Sequence, residues 1–143
     1  MTNEQIVNQL AALFRENEVE VSVIGGEFPT MTLHPDALGK EADLSVKMCI
    51  TADCSEQDYI RFDLLTFVMS GVYPEMHLDI SGTLNELNMK TSFGSYIYFD
   101  DQYIIAHRYT LFTAASDYPD NVVLAVSKTL NAINQDIQYL EDF

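Results

Sequence analysis

Three histidines, two cysteines and twenty-two carboxylates are the side chains of this 143-residue chain with the most chemistry to offer. Imidazole titrates nearest neutral pH and is the commonest metal ligand, so His34, His77 and His107 are the first candidates. No two of them stand at i, i+4, and no cysteine pair joins them, so no zinc signature is present. They are read instead as hydrogen-bonded or exposed histidines on a loop edge, a helix and a strand. Cys49 and Cys54 lie five apart without C-x-x-C spacing. No further cysteines exist to build a disulfide framework, so both are expected as reduced thiols, although a pair near one hairpin could bridge under oxidation. Asp100-Asp101 could hold a divalent ion, but Asp is also a common turn residue, and the turn reading is preferred. Gly25-Gly26 resembles a fragment of a phosphate loop, yet neither G-x-G-x-x-G nor G-x-x-x-x-G-K-[ST] occurs. Gly94-Ser95 lacks the flanks of a nucleophile elbow. No catalytic residue, metal site or cofactor site is therefore assigned.

Aromatic side chains are the next candidates. Tyr96, Tyr98, Tyr103 and Tyr109, with Phe93, Phe99 and Phe112, crowd one hairpin. Stacked bases are one use of such strands, but base platforms also need a basic groove, and only Lys90 and Arg108 lie nearby. Cross-strand packing is the first reading, and a protein-binding or dimer surface the second, because Tyr and Phe are enriched at interfaces. An alternative of another class is a small-molecule-binding or enzymatic domain with His107, Arg108 and Asp101 around a sheet-face pocket.

Composition narrows the partners. Seven Lys and Arg against twenty-two Asp and Glu leave a net charge of −15. A domain so acidic is repelled by phosphate backbones and by anionic lipid, so neither nucleic acid nor a membrane surface is an expected partner. An apolar fraction of 48% indicates a globular fold rather than a disordered acidic chain. The length suits one domain over residues 1–143. No apolar run approaches the roughly 18 residues of a membrane span. The opening MTNEQIVNQL has no basic, apolar signal pattern, so a cytoplasmic location is expected.

These residues need elements to position them. Thr2 and Gln5 have capping-box spacing, and Ile6, Leu10, Leu13 and Phe14 mark one helical face ending near Asn17. Glu18–Ile24 alternates as a short strand closed by Gly25-Gly26, and Thr30–His34 forms another that stops at Pro35. Leu44, Val46, Met48 and Ile50 alternate with polar residues. After a turn over Asp53–Asp58, so do Ile60, Phe62 and Leu64. Leu65, Phe67 and Val68 break that alternation, which predicts either a bulge or burial on both faces. Pro74 suits a first helical position, with Glu75 and Asp79 in the first turn, where the helix dipole favours anions, and Met76, Ile80, Leu84 and Leu87 as the stripe. Tyr96–Phe99 and Tyr103–Phe112 flank Asp100-Asp101-Gln102 as a hairpin. A long helix opens at Pro119, with Val126, Leu130, Ile133, Ile137 and Leu140 down one side. The predicted class is α+β, an antiparallel sheet of about five strands packed with helices. The order is α-β-β-β-(β)-α-β-β-α, the short strands in residues 18–34 counting as one or two.

Residues Leu84–Phe112 (LNELNMKTSFGSYIYFDDQYIIAHRYTLF) carry a family resemblance. A helix ending in Leu84-Asn85 and Asn88 enters a strand at Lys90, and Phe93-Gly94 leads into an aromatic strand ending at Phe99. An acidic turn and a return strand with Arg108 follow. This pattern resembles the YbjN-like family, described as bacterial sensory transduction regulators, and its element order is similar to that of class I type III secretion chaperones. The resemblance implies a small acidic cytoplasmic homodimer that acts by binding a protein or peptide, in a regulatory or chaperone-like role and without catalysis. A dedicated secretion chaperone holding an effector segment is the variant of that reading. Candidate contact residues are Met76, Ile80 and Leu84 on the helix, and Tyr96, Tyr98 and Tyr103 on the hairpin.

Overall fold

The computed structural model describes residues 1–33, 47–55 and 58–140. His34, Pro35 and the Leu44–Val46 stretch expected to begin a strand lie outside the described residues. The first helix, α1 (Asn3–Glu16), opens with the reciprocal cap that its sequence spacing predicts. Gln5 N donates to Thr2 Oγ1 at 3.1 Å, and Thr2 N donates to Gln5 Oε1 at 2.9 Å. Two backbone donors that the helix itself leaves unpaired are thereby satisfied. Ile6, Val7, Leu10, Ala11 and Phe14 form its buried face, and Asn17 ends it.

Four strands follow: β1 (Val21–Ile24), β2 (Thr30–Leu33), β3 (Lys47–Asp53) and β4 (Tyr59–Met69). The helix α2 (Ile80–Lys90), the hairpin β5 (Ser95–Phe99) and β6 (Ile104–Ala114), and the helix α3 (Tyr118–Leu140) complete the fold. The class is α+β, and every strand pair is antiparallel. Among the described residues the sheet has six strands in the order β1-β2-β3-β4-β6-β5, so the two short strands are separate and the expected count of about five is corrected to six. β1 starts three residues later than the alternation of Glu18–Ile24 suggested. Glu18 sits at φ 63 and Val19 N donates to Phe14 O, so these residues turn the chain out of α1 before pairing begins. β3 runs on to Asp53, because Ala52 and Asp53 pair with Phe62 and Arg61 across the hairpin.

β4 resolves the broken alternation. Ile60, Phe62, Leu64, Thr66 and Val68 are all buried on one face. The register with β6 then shifts between Phe67 and Met69, which is the bulge of the two predicted alternatives. The inward period of two holds through a polar residue, Thr66.

α2 departs most from expectation. Met76 N and His77 N both donate to Tyr73 O, closing an isolated turn. The helix begins only at Ile80, where the Asp79 carboxylate accepts from Gly82 N at 3.1 Å. Asp79 is therefore the cap rather than a first-turn residue, and Met76 leaves the helical stripe that Ile80, Leu84 and Leu87 keep.

The three described helices pack on one face of the sheet, and the interior beneath them is divided. α1, β1, β2, β3, the first half of β4 and the N-terminal half of α3 enclose one apolar cluster around Phe62, Met31, Ile50 and Leu10. α2, β5, Val68, Ile105 and the C-terminal half of α3 enclose the second, which contains Leu87, Ile133 and Leu140. Thr66, His107 and Thr129 are buried and belong to neither cluster.

Candidate protein-binding surface

The hairpin turn and the segment before α2 are bound to each other at one end of the sheet. Tyr98 Oη donates to Val72 O at 2.6 Å, and Val72 N donates to Tyr103 O at 3.0 Å. The Tyr73 and Tyr103 rings pack with centroids 4.8 Å apart. Tyr103 holds φ 57, a left-handed conformation that bulky side chains seldom adopt and that surrounding contacts must maintain. Around this joint four large apolar side chains face solvent: Tyr73 (44% exposed), Tyr103 (39%), Met76 (75%) and Leu78 (95%). Monomer surfaces carry single apolar residues routinely, whereas a group rimmed by charge marks an interaction site.

The rim is acidic. Glu75, Asp79, Asp100 and Asp101 are all exposed. Desolvation pushes the Tyr98 phenol above its ordinary value, and neighbouring Tyr103, Asp100 and Glu75 push it further, since each disfavours a second negative charge there. Neither lysine nor arginine occurs in residues 62–89 or 91–107. Lys90 between them extends over the Tyr139 ring, 4.6 Å from its centroid.

The six candidate contact residues separate into three kinds. Met76 and Tyr103 lie on this surface. Tyr98 is half-buried and ties the surface together through its hydroxyl. Ile80, Leu84 and Tyr96 are 8%, 7% and 2% exposed and belong to the second apolar cluster. Tyr73 and Leu78 complete the surface and were not singled out from sequence. The run Glu75-Met76-His77-Leu78-Asp79, apolar residues alternating with polar ones after a proline, could have suggested Leu78, whereas Tyr73 precedes that run.

Beneath the hairpin lies a polar constellation that sequence reasoning missed. Asp136 is 4% exposed, on the inner face of α3. Its Oδ2 accepts from Tyr96 Oη at 2.8 Å and from Thr91 Oγ1 at 2.7 Å. The Tyr96 ring meets the His107 imidazole edge-on at 5.0 Å. His107 Nε2 is 2.6 Å from the Phe93 carbonyl oxygen, whereas among the described residues its Nδ1 has no partner, like Thr66 Oγ1 and Thr129 Oγ1. Burial pushes the Tyr96 phenol far up, and the Asp136 carboxylate adds to it. Burial also pulls the His107 imidazole down, partly offset by the Phe93 carbonyl and Asp136. Gly94 makes this close approach possible: at φ +71 its absent Cβ would lie 2.4 Å from the His107 ring. The sequence signal is the seven-residue spacing of Thr129 and Asp136, which puts two polar residues on the buried side of α3.

The alternative trio does not converge. His107 points to the helix-covered face, Arg108 points to the opposite face with its Nη2 4.0 Å from Asp63, and Asp101 is exposed in the hairpin turn. Among the described residues no three of His, Cys, Asp and Glu are grouped to hold a metal ion. Among the described residues no helix is long and apolar enough to cross a membrane. A shallow apolar groove of about 330 Å³ lies elsewhere, between α1 and the start of α3, lined by Leu10, Leu13 and Tyr118. Comparison with models of known families, with curated proteins and with solved structures yields no match to this chain.

Proposed function

We propose that this chain is a non-enzymatic, cytoplasmic protein-binding module with a regulatory or chaperone-like role, and that it takes its partner at the Tyr73–Met76–Leu78–Tyr103 surface. The observation that carries the reading is the coincidence of four exposed apolar side chains with four carboxylates at one end of the sheet. Apolar anchors supply affinity in proportion to the area they bury, about 1.5–3 kcal/mol for a fully buried Leu or Met. Carboxylates around them select a basic segment and speed its approach. The fitting partner is therefore a segment in which aliphatic residues alternate with Lys or Arg, a chemistry that an acidic or neutral competitor lacks. The strained Tyr103 backbone and its hydrogen bond to Val72 hold the surface in shape before binding, which lowers the ordering cost of the complex.

Fluorescence anisotropy with two labelled peptides tests the reading, one alternating Leu with Lys and the other Leu with Glu. The expected result is salt-sensitive binding of the Lys peptide alone. A Met76→Glu, Leu78→Glu double variant should weaken that binding by about tenfold or more, equivalent to about 1.4 kcal/mol. Equal binding of both peptides, binding of neither, or an unchanged affinity in the variant would refute it.

A further inference from the structure

Among the described residues, aromatic rings meet cations of the chain itself in two places. Lys90 Nζ lies 4.6 Å from the Tyr139 ring centroid, and Lys128 Nζ lies 6.0 Å from that of Phe93. Phe93 is itself packed on Tyr109, with centroids 4.0 Å apart. Such a cation is attracted by the negative face of the ring quadrupole. Tyr73 and Tyr103 form a comparable aromatic pair, with centroids 4.8 Å apart and planes inclined at 49°. Among the described residues no lysine or arginine lies over either of these two rings.

That pair is built to receive a cation from another chain. Both rings are partly exposed, and they come from different segments, Tyr73 from the stretch before α2 and Tyr103 from the hairpin turn. The bonds of Val72 to Tyr103 O and to the Tyr98 hydroxyl hold the two segments together in the absence of any ligand. Glu75 and Asp100 are exposed, and both act on the Tyr98 phenol, so carboxylates face the joint from the same two segments. They flank the rings singly, since among the described residues no three of His, Cys, Asp and Glu are grouped to hold a metal ion. A cation drawn in by this rim therefore uses the rings as well. Hydration and shape then decide which cation fits. The lysine ammonium is compact and strongly hydrated, whereas the arginine guanidinium is planar and weakly hydrated. A guanidinium can lie flat on a tyrosine face while the N–H groups at its edge donate to a carboxylate.

We infer that the Tyr73–Tyr103 pair is an arginine site, where the guanidinium of an arginine in the bound segment stacks on the rings and donates to Glu75 and Asp100. The inference rests on the peptide-binding reading and narrows it, from a segment bearing either basic residue to one in which arginine is preferred. Met76 and Leu78 then serve the aliphatic residues of the segment, and the two tyrosines serve its charge.

Fluorescence anisotropy on the full chain provides the test, with three labelled peptides in which Leu alternates with Arg, Lys or trimethyl-lysine. The arginine peptide is expected to bind at least about fivefold more tightly than the lysine peptide. Tyr73→Leu keeps an apolar side chain but removes the ring, and should bring the two affinities within about twofold of each other. Tyr73→Phe keeps the ring and should retain the preference. If circular dichroism shows Tyr73→Leu to be unfolded, the arginine Hδ resonances of the bound peptide decide in its place. Stacking on the rings moves them upfield, and unmoved resonances overturn the inference. Equal binding of the arginine and lysine peptides, an arginine preference that survives in a folded Tyr73→Leu, or trimethyl-lysine binding as tightly as arginine would overturn it and leave the peptide-binding reading standing. If no basic peptide binds, both fall together.

Discussion

His107 carries one proton and is poorly placed to accept a second. Its Nε2 faces the Phe93 carbonyl oxygen, which can only accept, so the hydrogen-bond geometry assigns the neutral ring's proton to Nε2 and leaves Nδ1 bare. A further proton on Nδ1 would put a charge where burial opposes it, with Asp136 and the Phe93 carbonyl giving partial compensation. Because the folded value is depressed below the ordinary value near 6.5, the unfolded chain binds the proton first as pH falls. Stability from this group is therefore complete above about pH 6.5 and is lost below it, by up to about 1.4 kcal/mol per pH unit, until the folded imidazole also protonates. Thermal melts between pH 7.5 and 5.5 should show a steeper fall in Tm for the wild type than for His107→Gln, which retains a donor for Phe93 O. Parallel slopes would show that His107 does not titrate differently in the two states.

α2 shows how a local contact overrides a local pattern. Pro74, Glu75 and Asp79 have the composition of a helical first turn, yet the turn over Tyr73–His77 is not continued, and the Asp79 side chain selects Gly82 N as its partner. Asp79→Ala is expected to cost about 1 kcal/mol, the usual value of an N-cap. A shift in the urea midpoint at unchanged slope is the readout, and no shift would mean that the cap is replaceable by water. The elements legible in sequence are those whose period is long and uninterrupted: α1, α3, the β3–β4 pair and the β5–β6 hairpin. Periodicity fixes which side of a strand faces inward, but it cannot say which strand lies beside which. The placement of β6 between β4 and β5 was accordingly not readable. The candidate surface was legible in part for the same reason. Met76 stands four residues before Ile80 and looks like core by spacing, and only the late start of α2 turns it outward. Asp136 was hidden in the opposite sense, an acid on the side of α3 that the apolar stripe had claimed.

At the scale of the molecule, the two apolar clusters are joined chiefly through β4, β6 and α3, which contribute to both. α1, β1, β2 and β3 belong to the larger cluster alone, and α2 and β5 to the smaller one alone. Where the clusters meet, the buried polar side chains of Thr66, His107 and Thr129 interrupt the apolar packing. Cooperativity across that boundary is weakened, so the protein should open in parts. Native-state hydrogen exchange would then find the amides of α2 and β5 exchanging through a partial unfolding of lower free energy, while those of β3 and α1 wait for the whole chain to unfold. A single exchange free energy shared by all four elements would mean that the seam does not divide them. The surface proposed to hold a partner borders the half that opens first, so occupancy there would be felt as protection of α2 and β5 before it is felt anywhere else.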